Sequence, residues 1–142
     1  MAIQFTAHEV KLGLKNRTKL KAFLKDLFKR EGQGLSGLHY IFCSDDYLLE
    51  INKQFLNHDT YTDIVTFEMS EDPEITEGEI YVSIDRVIDN AAKFGVTEEH
   101  ELHRVIFHGA LHLCGYKDKT KKEEQLMRDK EEENLKLYFG SK

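Results

Sequence analysis

"TEEHELHRVIFHGALHLCGYKD", residues 97–118, reads as one helix followed by the turn that ends it. Thr97 is suited to cap the N-terminus, and Glu98, Glu99 and Glu101 set negative charge where the helix dipole favours it. The helix is expected to run to Cys114 and to stop at Gly115, because glycine enters φ > 0 without strain. Within it, His108 and His112 stand four residues apart, a rotation of about 400°, so they share a face one turn apart. Leu102 and Val105 lie further back on roughly the same stripe. That face is expected to point into the protein.

Two imidazoles in this arrangement can converge on one metal ion. Their burial without partners would be costly, and an ion would satisfy both. The plain alternative is a chance pair of core histidines. A third donor cannot come from continuing the same helix, because ten residues further on lies about 15 Å along the axis. Zinc needs its ligand atoms roughly 2 Å away. The chain must therefore break and return, with Gly115 as the pivot and Asp118 as the carboxylate brought back. Two histidines and a carboxylate are a known zinc set. His8, His39, His100 and His103 have no comparable partners in the sequence and read as ordinary histidines. Zinc peptidases with an H-E-x-x-H helix take their general base from the residue after the first histidine. Here that residue is Gly109, which cannot accept a proton.

Working outward, "TKKEEQLMRDKEEENLKLYF" (120–139) is a second helix, opened by Thr120 and Glu123 at capping-box spacing. "DRVIDNAAKF" (85–94) is a third, ending at Gly95. In the first half, "TKLKAFLKDLFKRE" (18–31) repeats Leu20, Phe23, Leu24, Leu27 and Phe28 at helical spacing. Ser44 can cap "DDYLLEINKQFL" (45–56). Strands are expected at "AIQFTA" (2–7), "LHYIFCS" (38–44), "DIVTFEM" (63–69) and "GEIYVSI" (78–84). The acidic segment with Pro73 serves as the hairpin loop between the last two. Strands followed by a run of helices indicate an α+β fold: a small mixed β-sheet packed with helices, the metal helix in the C-terminal third.

The 142 residues suit a single domain spanning 1–142, without repeats or linkers. An apolar fraction of 40% with 32% charged residues marks a globular chain, not a disordered one. No apolar run is long enough for a bilayer, and the N-terminus has no secretory pattern, so a cytoplasmic protein without membrane contact is expected. Cys43 and Cys114 are expected as free thiols. The net charge of −6 excludes bulk electrostatic coating of nucleic acid. Even so, residues 11–30 carry Lys11, Lys15, Arg17, Lys19, Lys21, Lys25, Lys29 and Arg30 against Asp26 alone. This run is either a solvated helix face or a phosphate-contacting surface.

"HGALHLCGY" (108–116) resembles the H-G-x-L-H-L-x-G-Y-D-H signature of the YbeY-type endoribonucleases. "INKQFLNHDTYTDIVTF" (51–67) is similar, without gaps, to that family's L-N-x-x-Y-R-x-x-D-x-P-T-D-V-L-S-F. "GEIYVSI" resembles the G-D-I strand that follows, and "EEHELHRVIFHG" the helix that enters the signature. The resemblance covers most of the chain and is weakest before residue 38. It implies an α+β fold and metal-dependent hydrolysis of single-stranded RNA. The expected partners are ribosomal RNA and the small ribosomal subunit, in RNA maturation and ribosome quality control. The implied cofactor is one Zn²⁺, with another divalent ion as the alternative.

His108 and His112 match the first two family ligands. Asp118 falls on the third histidine, and Lys117 on the aspartate before it. A one-residue insertion would instead leave no third donor, so the ungapped match is preferred. A carboxylate donor adds negative charge, and bound water should then be a weaker acid than with three imidazoles. The family arginine expected on the phosphate aligns with Leu56, and its proline with Tyr61. Lys53 and His58 are the candidate replacements on the substrate side, against the plain reading of both as surface residues. Thr62 and Asp63 are retained; Asp63 is carried as a substrate-side candidate whose simpler role is pinning the turn. The sequence assigns no general base. Two other functions compete: a ribosome-assembly factor with a structural metal, and a zinc metallopeptidase.

Overall fold

The computed structural model describes residues 2–56 and 62–140. Nine elements follow in order: β1 (Ala2–Ala7), α1 (Arg17–Arg30), β2 (Gly34–Cys43), α2 (Asp45–Leu56), β3 (Ile64–Glu68), β4 (Ile75–Ser83), α3 (Ile84–Phe94), α4 (Glu98–Leu113) and α5 (Lys121–Phe139). The strands form one four-stranded sheet ordered β1-β2-β4-β3. β1 runs parallel to β2, β2 parallel to β4, and β3 antiparallel to β4. This is the mixed sheet of an α+β fold, and β3 and β4 form the expected hairpin.

The alternation of side chains along the strands splits the interior in two. Leu38, Tyr40 and Phe42 of β2, with Ile80 and Val82 of β4, face the main core. There they meet Leu20, Leu24, Leu27 and Phe28 of α1 and Val105, Ile106, Phe107 and Leu111 of α4. Each fully buried side chain of this kind stabilises the fold by roughly 1.5–3 kcal/mol. The opposite register, Cys43 with Val65, packs beneath Leu48 and Ile51 of α2.

The helix boundaries follow from their caps. Ser44, Ser83, Thr97 and Thr120 each accept a backbone N–H from the first turn of α2, α3, α4 and α5. α5 carries the complete capping box between Thr120 and Glu123. α1 begins one residue before its expected start, after Asn16 in the left-handed region at φ 54°. Two strands are longer than expected: β2 starts at Gly34 and β4 at Ile75, and the extra residues pair with each other across a bulge between Leu35 and Gly37.

Two contacts set the height of α4 above the sheet. The buried Tyr40 hydroxyl donates to the Ile106 carbonyl at 2.8 Å. Gly109 faces the sheet so closely that a Cβ there would lie 2.9 Å from Ile64 Cδ1 and 3.0 Å from Ile80 Cγ2. Among the described residues, no helix is long and apolar enough to cross a membrane.

The basic run divides. Lys11, Lys15, Arg17, Lys25 and Lys29 are exposed. Lys19 and Arg30 are exposed too but engaged: Lys19 donates to the Tyr138 carbonyl at 3.1 Å, and Arg30 binds Asp26 at 2.7 Å and Asn134 at 3.1 Å, tying α1 to α5.

Candidate metal centre

The sheet-facing side of α4 leaves His108 and His112 on its flank, mostly covered, with side-chain exposures of 15% and 32%. α4 ends at Leu113, and Gly115 turns the chain at φ 105°. The Tyr116 N–H then bonds back to the Leu111 carbonyl at 3.1 Å. The Tyr116 hydroxyl donates to Glu31 at 2.7 Å, which fastens the turn to the end of α1. The returning loop brings Asp118 over the histidines. Its Oδ2 lies 3.4 Å from His108 Nε2 and its Oδ1 lies 3.7 Å from His112 Nε2. One donor atom from each of the three residues falls within 4.8 Å of the others.

These separations suit a shared ion better than a direct contact. Hydrogen bonds to a carboxylate run shorter than this. Ligand atoms roughly 2.0–2.1 Å from a tetrahedral zinc sit about 3.3–3.4 Å apart.

The far side of each ring is held as well. His112 Nδ1 donates to the Tyr116 carbonyl at 2.7 Å, and since a carbonyl only accepts, Nδ1 carries a proton and the neutral ring presents the Nε2 lone pair. His108 Nδ1 donates to Glu131 Oε2 at 2.5 Å. Such outer partners orient metal-binding imidazoles and raise their basicity. The residues present fit a metal ion, and His108, His112 and Asp118 could hold one.

Glu131 belongs to a wider ion network. Its other oxygen accepts from Arg104 Nη1 at 3.1 Å. Arg104 also binds Glu101 through two nitrogens, at 2.9 and 2.7 Å, and lies 3.6 Å from Asp63. Glu101 and Glu131 are 1% and 5% exposed, so one arginine pairs with two buried carboxylates and a third at the rim, and its single charge offsets only part of theirs. Burial works against a charge on His108, but the hydrogen bond and charge of Glu131, with Asp118 and Asp63 behind it, raise its pKa above the ordinary histidine value. In the metal-free protein, protons and metal therefore compete for this ring.

Sequence spacing alone identified the three converging residues. It missed Glu131, Glu101 and Arg104. The available signal was position: Glu131 sits on the buried stripe of α5 with Met127, Asn134, Leu135 and Tyr138, where a carboxylate needs a partner. Neither imidazole depends on an ion alone for a partner, since both Nδ1 atoms are bonded. Asp63 sits at the rim of the network, with its backbone carbonyl accepting from Ser83 N–H at 2.9 Å. Lys53, near the end of α2, is exposed and lies 3.8 Å from Glu50. His58 and Tyr61 lie outside the described residues, as does the side chain of Leu56. His8, His39, His100 and His103 do not join the metal group among the described residues.

The profile of the endoribonuclease YbeY family matches residues 3–138. The chain belongs to the YbeY family. It is 49% identical over 135 residues to an endoribonuclease YbeY of Cytophaga hutchinsonii, covering 95% of this chain and 94% of that relative. An endoribonuclease YbeY of Flavobacterium psychrophilum is 47% identical over 131 residues, covering 92% and 93%. A solution structure from Thermotoga maritima superposes with a TM-score of 0.67 at 32% identity, over 98% of this chain and 90% of that one. Within this YbeY chain, then, the signature histidines and the loop carboxylate share one cleft.

Proposed function

We propose that this chain is a single-domain, metal-dependent endoribonuclease that cuts single-stranded RNA, acting on ribosomal RNA of the small subunit during maturation and quality control in the cytoplasm. The observation that carries the reading is the convergence of His108 and His112 Nε2 on Asp118, with both Nδ1 atoms held from behind. Family membership supports the reaction class.

One Zn²⁺ is the proposed ion, on the strength of the two-imidazole, one-carboxylate donor set. A bound ion supplies Lewis acidity, acidifying water and offsetting charge that builds on a phosphodiester under attack. The chain's own residues do the rest. Glu131 and the Tyr116 carbonyl hold the two rings in the tautomer that presents Nε2. Asp118 closes the set and leaves the cleft open toward solvent. Arg104 holds Glu131 in place.

Gly109 removes the peptidase alternative on steric grounds as well as chemical ones. It faces Ile64 and Ile80, so a glutamate at this position would meet the sheet and not the cleft.

The direct test measures metal content and cleavage of single-stranded RNA for wild type, His112→Ala and Asp118→Ala. Wild type should hold one ion and lose cleavage to a chelator, and both variants should lose metal. Metal content in Asp118→Ala equal to wild type would remove that residue from the site. One second reading has an observation behind it: Asp118 and Glu131 join α4 to α5, so an ion here would also brace the two helices. Chelation that lowers the melting temperature, with no RNA cut by the loaded protein, would select this non-catalytic assembly role.

A further inference from the structure

The metal cleft, a space of about 170 Å³, is lined by Arg104, His108, Asp118, Glu124, Arg128 and Glu131, with Met127 at its floor. Two arginines therefore face three carboxylates. A polyanion would be repelled from this cleft without a divalent ion, and attracted only weakly with one. The two arginines are not equivalent. Arg104 is engaged by Glu101, Glu131 and Asp63, so its charge is already matched. Arg128 is exposed, and it makes no ion pair or hydrogen bond among the described residues.

Its placement gives that free charge a direction. Arg128 lies three residues before Glu131 on α5, so the two share a helix face one turn apart. Glu131 bonds His108 from behind, and Arg128 lines the same cleft as His108 and Asp118. Arg128 also lines the neighbouring groove between α3, α4 and α5, where Phe94 and Leu135 lie. It therefore stands where the metal cleft opens into a longer channel.

From this geometry we infer that Arg128 is a substrate-binding residue: its guanidinium takes the RNA phosphate next to the one at the metal centre. The inference rests on the endoribonuclease reading above. A guanidinium suits this task because its fork of donors matches a phosphate in two-point contact. No bond is made or broken at Arg128; its contribution is to seat the strand.

The test measures affinity of the metal-loaded protein for an oligouridylate between 50 and 200 mM salt, together with metal content and turnover. The variants are Arg128→Ala and Arg128→Lys. Arg128→Ala should weaken binding roughly tenfold at low salt, as loss of one charge-assisted contact. The slope of log affinity against log salt should fall by about 0.7, the value for one phosphate on a single strand. KM should rise with kcat little changed. Arg128→Lys should keep the wild-type slope and recover part of the affinity. Metal content should be unchanged in both. Equal affinity and slope in wild type and Arg128→Ala, with wild type cutting RNA, would overturn this inference alone. A wild type that neither binds nor cuts RNA would remove the endoribonuclease reading along with it.

Discussion

His103 and His108 stand five residues apart on α4, and burial opposes charge on both. His103 is 2% exposed. Its ring stacks on Tyr138 at 5.1 Å and meets Phe107 and Phe139 edge-on. Nδ1 donates to the Glu99 carbonyl at 2.8 Å, and Nε2 is buried without a partner among the described residues. Burial wins there and lowers the pKa of His103. At His108, a carboxylate from another helix reverses the outcome. Burial does not make a histidine functional. A charged partner on its back and an open lone pair on its front do.

The same substitution at both positions should break the comparison most visibly. His108→Phe should lose the metal and, with it, RNA cleavage, by more than the roughly 10–100-fold that loss of an outer partner costs. His103→Phe fits an aromatic pocket and should keep full metal content. Metal analysis of the two purified variants decides the point, and equal losses would erase the distinction.

Next in size is the partner itself. Glu131→Gln keeps an acceptor near His108 but removes the charge, and metal affinity should fall roughly 10–100-fold in competition with a chelator. An unchanged affinity would mean that Glu131 only packs.

A smaller, signed effect concerns stability against pH in metal-free protein, followed by urea unfolding. His103 has a lowered folded pKa, so the unfolded chain binds more protons below about pH 6.5. Its contribution is present above that pH and is lost as pH falls. His108 has a raised folded pKa, so its contribution is complete below about pH 6.5 and is lost as pH rises through the folded value. His103→Phe should flatten the acid side of the curve, and His108→Phe the neutral side. Shifts in the same direction would contradict the two environments.

The smallest effect extends the theme to groups with no helpful partner. Cys43 and Cys114 are both free, and burial pushes each thiol up to about 12. Alkylation of native protein at pH 8 should be slow at both, because only about one thiol in 10⁴ is ionised at that distance from its pKa. Denaturant should release both at once. Rapid labelling of one alone would show that its cover opens locally.

Much of this molecule was legible in local sequence. The caps at Thr97 and Thr120 and the spacing of His108 and His112 are short-range signals, and the helices they mark start where expected. The turn at Gly115 delivers Asp118 because a positive φ is the only way back. What was not legible is long-range. The opening of β2 contains Gly34, Ser36 and Gly37 and looks like a loop, and it becomes strand by pairing with residues some forty positions later. Glu131 is invisible for the same reason. One glutamate among many on α5 takes its role from a histidine 23 residues earlier. His103 read as ordinary, and it is indeed outside the metal group, but its depth in an aromatic pocket depends on the distant Tyr138.

The loop that carries Asp118 has a consequence for how fast the protein can take up and release its ion. Only Cys114 to Thr120 separate α4 from α5. The stretch is clamped at Tyr116 by Leu111 and Glu31 and at Thr120 by the capping box. Its conformation is set by contacts that do not involve an ion. Loading should therefore follow simple second-order kinetics, without a slow folding phase. A sample stripped by a chelator should reload completely without refolding, because the ion enters a seat that is already built.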